Sequence, residues 1–266
     1  MSENVSKPKK KHTGLIVLLV IVAIIAIGCG VLFSMVDNVS ELENHFDDVN
    51  AYKSQLVLSD EEKAMPKEKL MSKLLFDNIT YNEESRDITL TVSKALVYNL
   101  LDLDSLNNSS LTKGYSVSID KLGYEVDTDK KEIHVYAAVN YKGKISTGIV
   151  ALLSYEFTDT DLVVYYQDVT VGKLPRFLYE SKLPAAGKEL FRKNISELEV
   201  NSDLDIKLLD PTKITDMSYS DGSVAISLNI IDAIENLVTE LFGPSIKGSS
   251  KFNQLVDYYI GEMFNK

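Results

Sequence analysis

"EIHVYAAVNYKGKISTGIVALLSYEFTDTDLVVYYQDVTVG", Glu132 to Gly172, decides the fold. Its apolar and polar residues alternate with a period of two, and the short links "KGK" and "TDTD" separate the runs. Such runs joined by short polar or glycine-containing links are antiparallel hairpins. With "YSVSIDKLGYEVD" and the turn "TDKK" in front, the reading is a meander from Tyr115 to Val171. One strand departs from the usual single apolar face of an antiparallel sheet. In "ISTGIVALLSYEF", Ile149, Ala151, Leu153, Tyr155 and Phe157 point one way, yet Val150 and Leu152 point the other. The next strand sets Val163, Tyr165 and Val169 against Leu162, Val164 and Tyr166. A sheet apolar on both faces must be covered twice, by two layers of protein or by protein on one side and a ligand on the other.

Upstream, Val39, Leu42, Phe46, Val49 and Leu56 recur at spacings of three and four, which predicts a helical stalk within residues 37–86, packed on its own domain. "SDEE" at Ser59 to Glu62 has capping-box spacing, and Pro66 restarts a helix with Leu70, Leu74 and Leu75 inward. "DITLTVS" then reads as a strand with Ile88, Leu90 and Val92 on one face. "KALVYNLLDL" reverts to helix with Ala95, Leu96, Leu100 and Leu103 inward. Downstream, Pro175 and Pro184 bracket helical turns carrying Phe177, Leu178, Leu183, Leu190 and Phe191. A strand at "SELEVNSDLDIKLLD" and a hairpin at "MSYSDGSVAISL" follow, with Asp221-Gly222 as its turn. Two amphipathic helices occupy residues 229–266. The expected fold class is α+β: an N-terminal single transmembrane helix, then a curved antiparallel sheet of six or seven strands over 87–228, packed with helices.

The transmembrane reading rests on Gly14 to Val36, which carries no charge. About 20 apolar residues cross a hydrocarbon core of about 30 Å. "AIIAIGCG" leaves the alternative of a lipoprotein cut before Cys29, the single cysteine. Two features favour a retained helix: Ala26 stands where a larger aliphatic is usual, and "GVLFSMV" continues the apolar run past Cys29. Lysines 7, 9, 10 and 11 precede the span and only acids follow it closely, so residues 1–13 are expected in the cytoplasm and the rest outside. A tail of that length holds no output domain.

Of 28 Lys+Arg and 39 Asp+Glu, four lysines and Glu3 precede the span, leaving 24 basic against 38 acidic residues outside. Such a domain is repelled by nucleic acid, which is bound chiefly through positive patches. Three histidines, His12, His45 and His134, and one cysteine supply neither a Ser-His or Cys-His nucleophile system nor a histidine-rich zinc site. The pairs Asp102 and Asp104, Asp159 and Asp161, and Asp203 and Asp205 match no further catalytic signature. "DTDKKE" and "DLDSLN" lack the oxygen ligand of a calcium loop at the fifth position. No enzyme activity, metal or cofactor is expected.

A basic tail, one span, a "VYNLL" helix, a meander and a strand running into "VTVGKLPRFLYESKLP" together resemble the YpmS-like proteins of Gram-positive bacteria. The same order resembles the tubular lipid-binding (TULIP-like) domains of actinobacterial envelope proteins, in which a strand enters a Gly-x-Leu-Pro turn, here Gly172, Lys173, Leu174 and Pro175. The likeness spans about Asp87 to Leu228. It implies a curved sheet wrapped around a helix, a hydrophobic groove for acyl chains, and no catalytic residues. With the doubly apolar strands, it points to Val150, Leu152, Val164, Tyr166, Leu174, Phe177 and Leu178 as groove residues. Two functions follow: a membrane-anchored carrier or sensor of a lipid or other apolar envelope ligand, or an accessory module docking another envelope protein. The orientation has a direct test. In a Cys29→Ser background, an impermeant thiol reagent on intact cells is expected to label Ser220→Cys and spare Ser2→Cys; the reverse pattern refutes the lysine argument.

Overall fold

The computed structural model describes residues 38–82, 87–101, 103, 107–108, 117–141, 143, 145–194 and 214–229, and nearer the C-terminus 235, 238–239, 242–247, 249, 251–255 and 258. The span at 14–36 with Cys29, the strand at "SELEVNSDLDIKLLD" and most of the two C-terminal helices lie outside these residues. Among the described residues no helix is long and apolar enough to cross a membrane.

The domain is α+β, with two antiparallel sheets and short helices. A 3-10 helix, Val39–His45, leads into α1 (Val49–Gln55), α2 (Asp60–Ala64) and α3 (Lys67–Asp77). Then come β1 (Ile79–Asn82), β2 (Asp87–Ser93), α4 (Lys94–Leu100), and the meander strands β3 (Val117–Asp127), β4 (Glu132–Tyr141), β5 (Ile145–Phe157) and β6 (Asp161–Val171). After two 3-10 turns, Arg176–Leu178 and Glu180–Lys182, follow β7 (Lys188–Asn194), β8 (Ile214–Ser220) and β9 (Ser223–Asn229). The larger sheet has the order β3-β4-β5-β6-β7, and the smaller β1-β2-β9-β8.

The meander is in place, but the single expected sheet is two. β2 pairs with β9 along its whole length, from Asp87 opposite Asn229 to Ser93 opposite Ser223. Periodicity shows that each segment is a strand and is silent on which distant strand it meets. β7 is a second difference: Leu190 and Phe191, expected in a helical turn, lie in a strand beside β6. Gly187, at φ 79°, ends the turns after Pro184, and its N–H donates to the Tyr166 carbonyl at 2.7 Å, starting the pairing.

Local signals are realised where their chemistry is short-range. Ser59 and Glu62 form both hydrogen bonds of the capping box. α3 starts after Pro66 and buries Leu70 and Leu74 against Leu96 of α4. Asp221 and Gly222, at φ 48° and 76°, make the β8–β9 turn.

The expected stalk is not a continuous helix. Residues 38–47 form a strap across one face of the larger sheet, touching β3, β4 and β5. The Asn38 side chain accepts from the Gly148 N–H of β5 at 2.8 Å. At the other end Asp47 donates its N–H to the Leu122 carbonyl of the outermost strand, β3, at 2.9 Å. The chain then turns around that edge, so that Val49 and Tyr52 of α1 pack on the opposite, core face. The strap lies close to the sheet because the residues beneath it are small. A β-carbon on Gly148 would come within 2.6 Å of Leu42 and 2.7 Å of Asn38; one on Gly123 would stand 1.9 Å from the His45 carbonyl oxygen. Glycine inside a strand commonly marks such a backbone approach. Gly123→Ala is therefore expected to cost about 2–3 kcal/mol by overpacking against main chain. Denaturant titration of the full chain reads this loss, and an unchanged midpoint would show that the strap does not lie there.

Candidate functional site

The core face carries the main apolar cluster: Val135, Ala137, Val139, Ile149, Ala151 and Leu153 from the central strands, with Tyr166, Val169 and Val171 from β6. A bulge shapes it. Leu152 pairs with Asp168 and Leu153 with Tyr166, so Gln167 has no opposite residue, and its amide donates to the Ser154 hydroxyl at 2.5 Å. The extra residue shifts the alternation of β6 by one position, as bulges do. Val164 and Tyr166 therefore join Val169 and Val171 on the core face, where strict alternation had set them apart.

Gly172, at φ 51°, turns the chain back over this face as a flap, residues 172–183, with its N–H held by the Gly148 carbonyl at 2.7 Å. Leu174 and Tyr179 are buried in the cluster, with Leu178 and Leu183 half-buried at its margin. The Tyr179 hydroxyl donates to the Val169 carbonyl at 3.3 Å. Two ion pairs fasten the flap: Arg176 to Asp168 at 2.9 Å and Lys173 to Glu41 of the strap at 2.6 Å.

Of the seven groove residues expected from the sequence, Val164, Tyr166, Leu174 and Leu178 meet in this cluster. Val150 and Leu152 stand half-buried on the strap face, and Phe177 points outward, 74% exposed. The cluster's least settled atom is the Tyr166 hydroxyl. It is buried and has no hydrogen-bond partner among the described residues; the Thr147 hydroxyl on the same core face is in the same position. Burial, with the Asp168 charge adding to it, pushes the Tyr166 phenol up to about 12, so it stays protonated as a donor. The arrangement is an apolar wall under a short roof, with a buried hydroxyl that lacks an acceptor among the described residues.

A second group of polar side chains lies on the strap face. The His45 ring stacks on Tyr136 with centroids 4.4 Å apart, and its Nδ1 sits 2.9 Å from Glu125. The Tyr136 hydroxyl donates to the same carboxylate at 3.1 Å, and the His134 ring lies 6.4 Å from Tyr136. Two histidines that look scattered in the chain thus gather at one tyrosine. The sequence signal was the cross-strand neighbourhood of Glu125, His134 and Tyr136, unreadable until His45 is known to cross it. No group of three or more metal-ligating residues forms among the described residues. Of the carboxylate pairs, Asp161 is engaged by Arg192 at 2.7 Å and Asp159 lies exposed in the β5–β6 turn. Asp102, Asp104, Asp203 and Asp205 lie outside the described residues.

Compared with known proteins, the chain matches no family model, no curated protein and no solved structure. Its likeness to YpmS-like and TULIP-like proteins therefore rests on the sequence alone.

Burial raises the Glu125 pKa, but hydrogen bonds from His45 and Tyr136 outweigh it and hold the carboxyl below its usual 4.5. A lowered carboxylate contributes stability that is present above 4.5 and lost as pH falls through the lower folded value. The group is half-exposed, so the contribution is about 0.5–1 kcal/mol. Glu125→Gln is expected to be less stable than the parent by that amount at pH 7, with the gap closing in acid; denaturant midpoints across pH measure it, and a pH-independent gap contradicts it.

Proposed function

We propose that the chain is a membrane-anchored, extracytoplasmic, non-enzymatic protein of the YpmS-like kind that binds a lipid or another apolar envelope ligand. The observation that carries the reading is the buried Tyr166 hydroxyl beneath the flap. An unsatisfied buried hydroxyl costs about 1–3 kcal/mol, and a site that keeps one has a use for it when an acceptor arrives. An ester carbonyl or hydroxyl of an acyl ligand, its chain lying along Val164, Leu174 and Leu178, meets both needs. The flap serves as the lid: Leu174 and Tyr179 anchor it in the cluster, while its exposed part, 175–177, is held by a 3-10 turn and surface ion pairs that contribute little each. The alternative reading, an accessory module that docks another envelope protein, corresponds to a core face filled by protein alone.

Solvent extraction and mass spectrometry of the purified chain separate the two. Co-purified lipid near one per chain supports binding, and a lipid-free preparation supports the accessory module. Tyr166→Phe sharpens the result. It is expected to raise the stability of the lipid-free protein by about 1 kcal/mol, through loss of the unpaired hydroxyl, while lowering lipid occupancy. A variant that leaves occupancy unchanged sinks the role of this hydroxyl.

A further inference from the structure

We infer that the flap tip rests on the bilayer that anchors the chain, with the Phe177 ring inserted in the outer-leaflet interface. The inference rests on the membrane-anchored reading above and adds an orientation to it. The expected span ends at Val36, and Asn38 is already bolted to the sheet through the Gly148 N–H at 2.8 Å. Two residues of extended chain reach about 7 Å, so the sheet end that holds Asn38 cannot leave the membrane surface. Gly148 is also where the flap begins, since its carbonyl accepts the Gly172 N–H. Lys173 then pairs with Glu41, three residues past Asn38, at 2.6 Å. Flap and chain exit are therefore fixed to one β5 residue, one through its carbonyl and one through its N–H.

The exposed side chains suit an interface. Leu174 and Tyr179 turn into the core, which leaves Pro175, Arg176 and Phe177 outside. Phe177 is 74% exposed, whereas Leu174 and Tyr179 of the same flap are buried. A single exposed aromatic needs no explanation on an ordinary surface, but this one belongs to the segment that Gly172 and Lys173 fasten to the chain exit. Two of the flap's three cations are spent locally, Arg176 on Asp168 and Glu180 and Lys173 on Glu41, and the third, Lys182, lies exposed at its far end. Docking is accordingly apolar in the main, about 5–10 Å into the boundary between head groups and acyl chains, and does not require anionic lipid. The opposite end of the sheet, with Asp159 exposed in the β5–β6 turn, faces away.

The chain contains no tryptophan, so a single introduced one reports its own surroundings. Full-length Phe177→Trp and Asp159→Trp are reconstituted in neutral phosphatidylcholine vesicles and floated, then read with lipids brominated along the acyl chain. The expected result is flotation of both, with quenching and a blue shift at position 177 only, unchanged by added phosphatidylglycerol. Flotation with position 177 unquenched overturns the orientation and leaves the anchoring intact. Failure to float overturns the anchoring and the orientation together. Quenching that appears only with phosphatidylglycerol overturns the apolar mode.

Discussion

The carboxylate of Asp47 ties the domain together. It sits at the point where the strap rounds the edge of β3, nearly withdrawn from water, and its partners come from three directions. Lys94 of α4 lies 2.6 Å from one oxygen; the Tyr98 hydroxyl donates to the other at 2.5 Å, and the Tyr124 N–H of β3 approaches at 3.4 Å. Lys94 in turn lies over the rings of Tyr124 and Tyr52, at 5.0 and 5.7 Å. Burial pushes the Lys94 pKa down, but Asp47 more than offsets it, and the net shift is upward. Burial, with Asp47 adding to it, raises the phenol of Tyr98. A charge pair so enclosed adds little net stability compared with apolar residues, while loss of either partner leaves a buried charge alone. What the pair does is dictate geometry. It sets α1 against α4, and because Lys94 donates its N–H to the Gly222 carbonyl at 3.0 Å, it brings the β8–β9 turn of the smaller sheet to the same place.

Edge management follows from this node. β3 would otherwise present open backbone groups, the template for unwanted pairing. Asp47 takes the Leu122 carbonyl and the Tyr124 N–H, and the side chain of Asn107 takes both the N–H and carbonyl of Ile119, at 2.8 and 3.1 Å. The other outer strand, β7, is guarded by charge, with Lys188, Glu189, Arg192 and Lys193 along seven residues. Between these two edges the sheet uses its faces differently. The strap covers part of one, helices and flap cover the other, and the apolar doubling of β5 seen in the sequence corresponds to that division.

The meander was legible because each hairpin is a local event: alternation, then a turn of the right length. Ser59 to Glu62 and Asp221-Gly222 were legible for the same reason. The strap was not. Val39, Leu42, Phe46 and Val49 satisfy helical spacing equally well as one stalk or as two short pieces broken at Asp47, and an aspartate in a link reads as solvated. The clue lay elsewhere, in Gly123 and Gly148, glycines inside strands with no turn to explain them. At the candidate site, Leu174 and Leu178 could be placed beside the sheet from the Gly-x-Leu-Pro turn. The bulge at Gln167 could not be seen, because nothing in its side chain announces a missing partner, and it alone decides which face Tyr166 joins. Pairing of β2 with β9 was out of reach for a further reason, since period-two patterning carries no information about distant partners.

The strap also imposes an order on synthesis. Asn38 is among the first parts of the domain to leave the ribosome, yet the N–H it accepts belongs to a residue 110 positions later. Its neighbours wait comparably: His45 for Glu125, 80 residues on, and Asp47 for Tyr98 and Tyr124, at 51 and 77. Chains whose contacts are this distant gain little from partial emergence, because the entropy of closing the loop comes before any return. The strap thus remains uncommitted until β5 arrives, and its closure over the larger sheet follows the pairing of the three strands it crosses.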